Sequence, residues 1–156
     1  TWPPMNMLTP SGSATTNRDL LLSYSTIGTT VLAVKRRADE HGIRFFWYSP
    51  TPYCHFNPIV EGLGNKSCAA CDGLLSVDPR GNVLPCSAFD EGVGNLLEEP
   101  FTKIWNSAQA TFWRSKDYAP SQCNGCESFD ACAGACPLYW DACGTAELDT
   151  LQEVAQ

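Results

Sequence analysis

The chain has 156 residues, 44% of them hydrophobic and 17% charged, enough for one domain or two small ones with packed cores; wholesale disorder is excluded. Acidic side chains outnumber basic ones 17 to 10, a formal charge of -7, so the clustered Lys and Arg that grip a nucleic-acid backbone are missing. No stretch approaches the roughly 18 apolar residues of a membrane span.

Met5 to Leu8 form a short apolar stretch closed by the turn signal Pro10-Ser11-Gly12. Thr16 is a candidate helix cap, with Asp19 three residues on as a weaker capping-box acid. Leu20, Tyr24, Ile27, Val31, Val34 and Ala38 then recur at alternating steps of four and three, which predicts one helix stopped by Gly42. Ile43 to Tyr48 is apolar on both faces, as in a strand buried in a parallel sheet. Strand, helix and strand make one β-α-β unit. One such unit cannot bury both faces of its own sheet. With Thr1 rather than Met in first place, the chain reads as a piece of something longer, the rest of an α/β domain preceding it.

Pro50, Pro52 and Pro58 mark an extended connector closed by Gly62 and Gly64, and a domain boundary is expected there. Leu74-Leu75-Ser76-Val77 and Val83-Leu84 flank the turn Asp78-Pro79-Arg80-Gly81, predicting a β-hairpin that folds Cys71 and Cys86 towards one end. Pro100 opens a predicted helix with apolar Phe101, Ile104, Trp105, Ala108 and Phe112. From Ser121 onward periodicity vanishes, so another organiser is expected, and bound metal is the obvious one. The expected division is 1–63, 64–146 and a tail 147–156. The fold class is an α/β fragment followed by a small, irregular α+β cysteine-rich domain with a hairpin.

Eight of the nine cysteines lie between Cys68 and Cys143. An odd count and C-x2-C pairs argue for metal-binding thiols of a reducing, cytoplasmic compartment rather than a disulfide scaffold. The pattern is Cys68-x2-Cys71-x9-Gly81-x4-Cys86, then Cys123-x2-Cys126-x5-Cys132-x3-Cys136, then Cys143. Gly125 and Gly134 stand between candidate ligands, where a tight wrap calls for positive φ. Eight clustered thiols make two four-cysteine sites and leave Cys54 over. Four thiolates suit zinc or an iron–sulfur cluster alike, and spacing does not choose between them.

From Cys71 to Cys143 this pattern resembles the SPASM domain of radical S-adenosylmethionine enzymes. Gly94-Asn95-Leu96 and Ile104-Trp105 are similar to that family too, and the first half looks like the last strand–helix–strand of its partial barrel. The resemblance implies two auxiliary [4Fe–4S] clusters. The first would be held by Cys68, Cys71, Cys86 and Cys136, and the second by Cys123, Cys126, Cys132 and Cys143. It also implies a peptide or small-protein substrate, an electron donor such as ferredoxin or flavodoxin, and no nucleic-acid or membrane partner. The C-x3-C-x2-C loop that opens one iron to S-adenosylmethionine does not occur in this sequence. That loop, S-adenosylmethionine and a third [4Fe–4S] cluster are expected only in the parent protein. The expected function is the auxiliary region of a peptide-modifying maturase, inactive alone. A colourless zinc interaction module is one alternative, an enzyme of cofactor or tetrapyrrole synthesis another. A stand-alone ferredoxin-like carrier suits the β-α-β remnant poorly.

Other residues have plainer readings. His55 beside Cys54 is a poor chelate pair, expected to be structural, and Cys54 reads as an ordinary buried thiol, the alternative being one that approaches the active site from the rim of the barrel. Trp105, Phe112, Trp113 and Trp140 read as a shell around the clusters. Asp90, Glu91, Glu98 and Glu99 read as a solvated acidic surface. Arg114 and Lys116 read as a solvent-facing helix end.

Overall fold

The computed structural model describes residues 4–149; Thr1 to Pro3 and all but the first three residues of the expected tail lie outside the described residues. The chain forms two compact units, Thr1–Cys68 with Pro120–Gln156, and Ala69–Ala119.

In the first unit, strand β1 (Pro4–Met5) pairs in parallel with β2 (Phe46–Trp47), Pro4 opposite Phe46 and Met5 opposite Trp47. Helix α1 (Tyr24–Glu40) lies between them in the chain and buries Tyr24, Ile27, Val31 and Ala38. The helix starts later than its apolar stripe, and Leu20 is 62% exposed. Upstream, Gly12–Thr16 and Arg18–Leu20 wind into 3-10 turns instead. There the Thr16 hydroxyl and Asn17 amide both donate to the Ser13 carbonyl, at 2.9 and 2.8 Å, a local alternative to the helical ladder. Gly42 stops α1 as expected: at φ +63° its amide donates to Asp39 and that of Ile43 to Ala38, the paired bonds of a Schellman end. The strand expected over Ile43 to Tyr48 is only two residues long. Phe45 and Trp47 are buried while Arg44 and Tyr48 are exposed, so from Arg44 to Tyr48 its faces alternate.

Segment 120–149 adds the 3-10 turn Ser121–Cys123, α4 (Phe129–Cys132) and α5 (Pro137–Cys143). Its Ala135, Tyr139, Trp140 and Leu148 share one core with Tyr24, Ile27, Val31, Trp47 and Phe56. By this shared burial 120–149 folds with the first segment. Leu148, assigned to the tail, is a core residue at 5% exposure.

The second unit holds an antiparallel sheet in the order β3 (Ser76–Val77), β4 (Asn82–Leu84), β5 (Gly94–Asn95). The hairpin turn lies where the sequence put it; β5 was not foreseen, being too short and glycine-bearing to give an apolar alternation. The helix expected from Pro100 is two helices, α2 (Phe101–Trp105) and α3 (Ala108–Arg114). Ser107 divides them, its hydroxyl capping α3 by accepting from the Ala110 amide at 3.1 Å. Cys71, Val83, Val93, Ile104 and Ala110 form the core.

Candidate metal centre

In the second unit the hairpin is shaped around Gly81 and Asp78. Gly81 has φ +84°, and a Cβ there would meet Leu97 Cγ at 2.8 Å and Asn95 Oδ1 at 2.9 Å. The Asp78 carboxylate accepts from the amides of Arg80 and Asn82 and from the Asn82 side chain, which together hold it below the usual carboxylate range. Asn95 donates to the Arg80 carbonyl and to Asn82 Oδ1, tying β5 to the turn. A Cβ on Gly94 would lie 2.8 Å from Ile104 Cγ1, so only glycine lets that side chain reach the core. These contacts give a physical reason for the motif glycine and for Gly94-Asn95-Leu96. On the arms, Cys71 is fully buried with φ +50°, its amide donating to the Leu74 carbonyl at 2.9 Å, and Cys86 is half-buried.

In the first unit, tight turns carry the remaining cysteines. The Cys126 amide donates to the Cys123 carbonyl at 3.1 Å, closing the C-x2-C turn, with Gly125 at φ +74°. Cys132 ends α4. The three residues between it and Cys136 all have positive φ: Ala133 at 54°, Gly134 at 70° and Ala135 at 65°. Gly134 was foreseen there; the two alanines were not, although their small side chains are what such a run admits. Ala133 is 5% exposed and Ala135 0%. Backbone held this way persists only where its surroundings over-determine it.

A polar network fixes the run from below. The Cys136 amide donates to the Tyr24 hydroxyl at 3.2 Å, which donates to the Pro50 carbonyl at 3.2 Å. Trp140 Nε1 donates to the Gly134 carbonyl at 2.6 Å. Tyr139 receives the Tyr24 amide at 3.3 Å and donates a short bond to Glu147, whose other oxygen accepts from the Ser25 amide at 2.7 Å. Burial raises the hydroxyl pKa of Tyr24 and of Tyr139. Burial also pushes Glu147 up, but its bonds from Tyr139 and Ser25 outweigh it and leave the carboxyl below its ordinary value. Sequence reasoning missed this network because the bonds that tie it together, Cys136 to Tyr24, Tyr24 to Tyr139 and Ser25 to Glu147, join residues 112 to 122 positions apart.

Cys132 is buried, and its sulfur accepts from the Tyr53 amide at 3.5 Å and approaches the Thr51 carbonyl at 3.8 Å. An amide donated to sulfur stabilises thiolate charge and tunes a bound metal. Burial, then the facing charges of Cys132, Cys54 and Cys126, push the Cys123 thiol up to about 11. Cys54, expected to be a buried thiol apart from the motif, is exposed. Its pKa too is raised, first by burial and then by Cys132, with Cys126 a smaller cause. Among the described residues, no three or more His, Cys, Asp and Glu side chains are arranged to hold a metal ion. In chemical type, though not in arrangement, thiol sulfurs are the donors that a zinc ion or an iron–sulfur cluster takes. Several soft sulfurs that oppose each other's ionisation require a cation to be thiolates together, and one already has an amide donor. Cys143 ends α5 and is exposed.

His55 Nε2 donates to the Glu147 carbonyl at 3.0 Å, a structural role. Trp113 meets Phe89 and Phe112 edge to face and lies tilted against Tyr118, and Trp140 packs on Tyr24. Arg114 and Lys116 do not simply face solvent. The guanidinium lies 4.5 Å from the Trp105 ring centre, and Lys116 pairs with Asp72 at 3.1 Å. Glu99 pairs with Lys103 at 2.9 Å, while Asp90, Glu91 and Glu98 are exposed.

The family model for SPASM, an iron-sulfur cluster-binding domain, matches residues 68–127. This chain carries a SPASM domain. The resemblance to radical S-adenosylmethionine enzymes that bear one is shown as well by the relatives it matches. A PqqA peptide cyclase of Xanthomonas axonopodis pv. citri is 30% identical over 128 residues, 77% of this chain and 31% of the relative. One of Xanthomonas oryzae pv. oryzae is 36% identical over 84 residues, 51% of this chain and 21% of the relative. An AdoMet-dependent heme synthase of Methanosarcina barkeri is 31% identical over 80 residues, 51% and 23% of the two chains. The chain thus spans about a third or less of the curated relatives it matches. No solved structure matches it. Among the described residues no helix is long and apolar enough to cross a membrane.

Proposed function

We propose that this chain is the auxiliary iron–sulfur region of a radical S-adenosylmethionine enzyme that modifies a peptide or small protein in the cytoplasm. The observation that carries this is the SPASM match over residues 68–127, which holds Cys68, Cys71, Cys86, Cys123 and Cys126, together with likeness to a PqqA peptide cyclase over 77% of the chain. Cys68, Cys71, Cys86 and Cys136 would hold one [4Fe–4S] cluster. Cys123, Cys126, Cys132 and Cys143 would hold the other. Such clusters, when bound, take up and pass on single electrons at potentials set by hydrogen bonding and exposure. This chain's part is to hold and tune them: the Tyr53 amide donates to Cys132, and the Tyr24 hydroxyl receives the Cys136 amide. The two clusters would serve electron transfer and substrate positioning. S-adenosylmethionine, a third [4Fe–4S] cluster and a ferredoxin or flavodoxin donor belong to the parent enzyme. Neither nucleic acid nor membrane is a proposed partner.

Likeness to an AdoMet-dependent heme synthase supports a second reading, tetrapyrrole or cofactor synthesis; its shorter coverage, 51% of this chain, makes the peptide reading the better supported. Anaerobic reconstitution with iron and sulfide, followed by analysis for iron, sulfide and zinc, tests the cluster assignment. About eight irons and eight sulfides per chain are expected for two such clusters. Stoichiometric zinc without sulfide would mean a zinc module instead.

A further inference from the structure

We propose that a cleft in the second unit binds an extended, basic segment of the peptide substrate along strand β5. The inference rests on the peptide reading above and concerns residues outside both cysteine sets.

The cleft lies wholly within the second unit, between the segment Gly92–Gly94 and helices α2 and α3, and offers about 540 Å³. That is the size of a ligand site, but its walls are not the mostly apolar lining of a small-molecule pocket. One wall is main chain. Gly92 is exposed and Gly94 half-buried, and neither carries a side chain that would hold a second backbone away. A Cβ at Gly92 would stand 3.1 Å from the Val83 carbonyl oxygen, and one at Gly94 would stand 2.9 Å from Glu99 Oε1. β5 comes last in the sheet order β3-β4-β5, so among the described residues one of its edges has no strand beside it. Such an edge is a template for an added strand.

The facing wall carries groups that hydrogen-bond an amide. Asn106 donates its side-chain amide to the Thr102 carbonyl at 2.7 Å, which leaves its own side-chain carbonyl as an acceptor. The Ser107 hydroxyl accepts from the Ala110 amide, so its proton remains to be donated. Gln109 is exposed and offers a donor and an acceptor together.

Charge then selects the peptide. Between Asp90 and Gln109 the chain has four carboxylates, Asp90, Glu91, Glu98 and Glu99, and one cation, Lys103. Glu99 lines the cleft, its side chain 25% exposed, and pairs at 2.9 Å with Lys103, whose side chain is 73% exposed. A pair this open to solvent is weak, so a lysine or arginine of the substrate can take the place of Lys103.

The test titrates short fluorescein-labelled peptides with the full 156-residue chain, reconstituted anaerobically, and reads fluorescence anisotropy. One peptide alternates lysine with threonine, a second alternates glutamate with threonine, and a third is the lysine peptide with every backbone amide N-methylated. The lysine peptide is expected to bind saturably, and the other two at least about tenfold more weakly. Glu99→Gln should weaken binding of the lysine peptide about two- to fivefold, and Lys103→Gln should tighten it by about as much. A merely structural ion pair would respond in the same direction to loss of either partner. Shifts of one sign, or no shift in either variant, therefore overturn the site. Equal affinity for the lysine peptide and its N-methylated form overturns strand addition. A chain that carries iron and sulfide but binds no peptide overturns this inference and leaves the iron–sulfur reading intact. A chain that takes up zinc without sulfide overturns that reading, and the same titration on it still decides the cleft.

Discussion

Ala133, Gly134 and Ala135 place three consecutive residues in left-handed backbone between two candidate ligands, and Ala135 is fully buried. A β-branched side chain is the worst occupant of such a position, by backbone strain and by crowding at once. Ala135→Val should cost about 2–4 kcal/mol, read as a lowered urea midpoint, whereas Ala133→Gly should be neutral or slightly stabilising. Equal effects would mean that the run is not strained. Glu147 offers a second test. It receives the Ser25 amide in the first turn of α1, where Ser23 makes no side-chain cap of its own. Its carboxyl lies below the ordinary 4.5 in the folded chain, so its stabilisation is complete above that value and is lost as pH falls through the lower folded one. Glu147→Gln should cost about 1 kcal/mol at neutral pH and flatten the acid limb of the stability–pH curve. A wild-type acid limb unchanged in the variant would assign the effect elsewhere.

At the scale of elements, the hairpin is the sharpest case. Gly81 combines φ +84° with two side chains within 3 Å of a would-be Cβ. Gly81→Ala should destabilise the second unit by about 1–3 kcal/mol and disturb the resonances of Asn95 and Leu97, while those of α1 stay put. The elements that could be read in advance share one property: their signal is local. The stripe from Tyr24 to Ala38 has a helical period, Gly42 sits where a Schellman end needs it, and Asp78 to Gly81 is turn chemistry. The missed features answer to distant partners. Ser107 breaks a stripe that periodicity alone would continue. Within the aperiodic segment Ser121 to Cys143, α5 forms where Tyr139 and Trp140 find the core of α1. The cysteine spacing was plain, yet the position of Cys54 was hidden, since the Tyr53 contact that fixes it spans 79 residues.

For the molecule as a whole, the shared core of α1 and α5 changes what loss of metal should do. An aperiodic segment held only by its ligands would loosen by itself. Here Tyr24 packs on Tyr139 and Trp140, with ring centres 3.9 and 4.9 Å away, and holds the Cys136 amide. Chelation of a reconstituted sample should therefore raise hydrogen exchange in α5 and in the first two turns of α1 together, and less at the C-terminal end of α1. Exchange rising in α5 alone would contradict this coupling. A further expectation follows from the sequence: without a C-x3-C-x2-C loop, the loaded chain should form no 5′-deoxyadenosine from S-adenosylmethionine under strong reductant. Turnover there would make one of these clusters catalytic rather than auxiliary.

The bond from the Ser25 amide to Glu147 closes a span of 122 residues, and so sets a timetable for synthesis. At about 5–20 residues per second, roughly 6–24 s pass between the emergence of α1 and that of the carboxylate that caps it. Throughout that interval Tyr24, Ile27 and Val31 have been made but their partners Tyr139, Trp140 and Leu148 have not. A nascent chain in this condition presents a sticky helical face to the ribosome's surroundings, together with the earlier thiols. Expression yield should then depend on translation speed and on holding chaperones more than on iron supply alone.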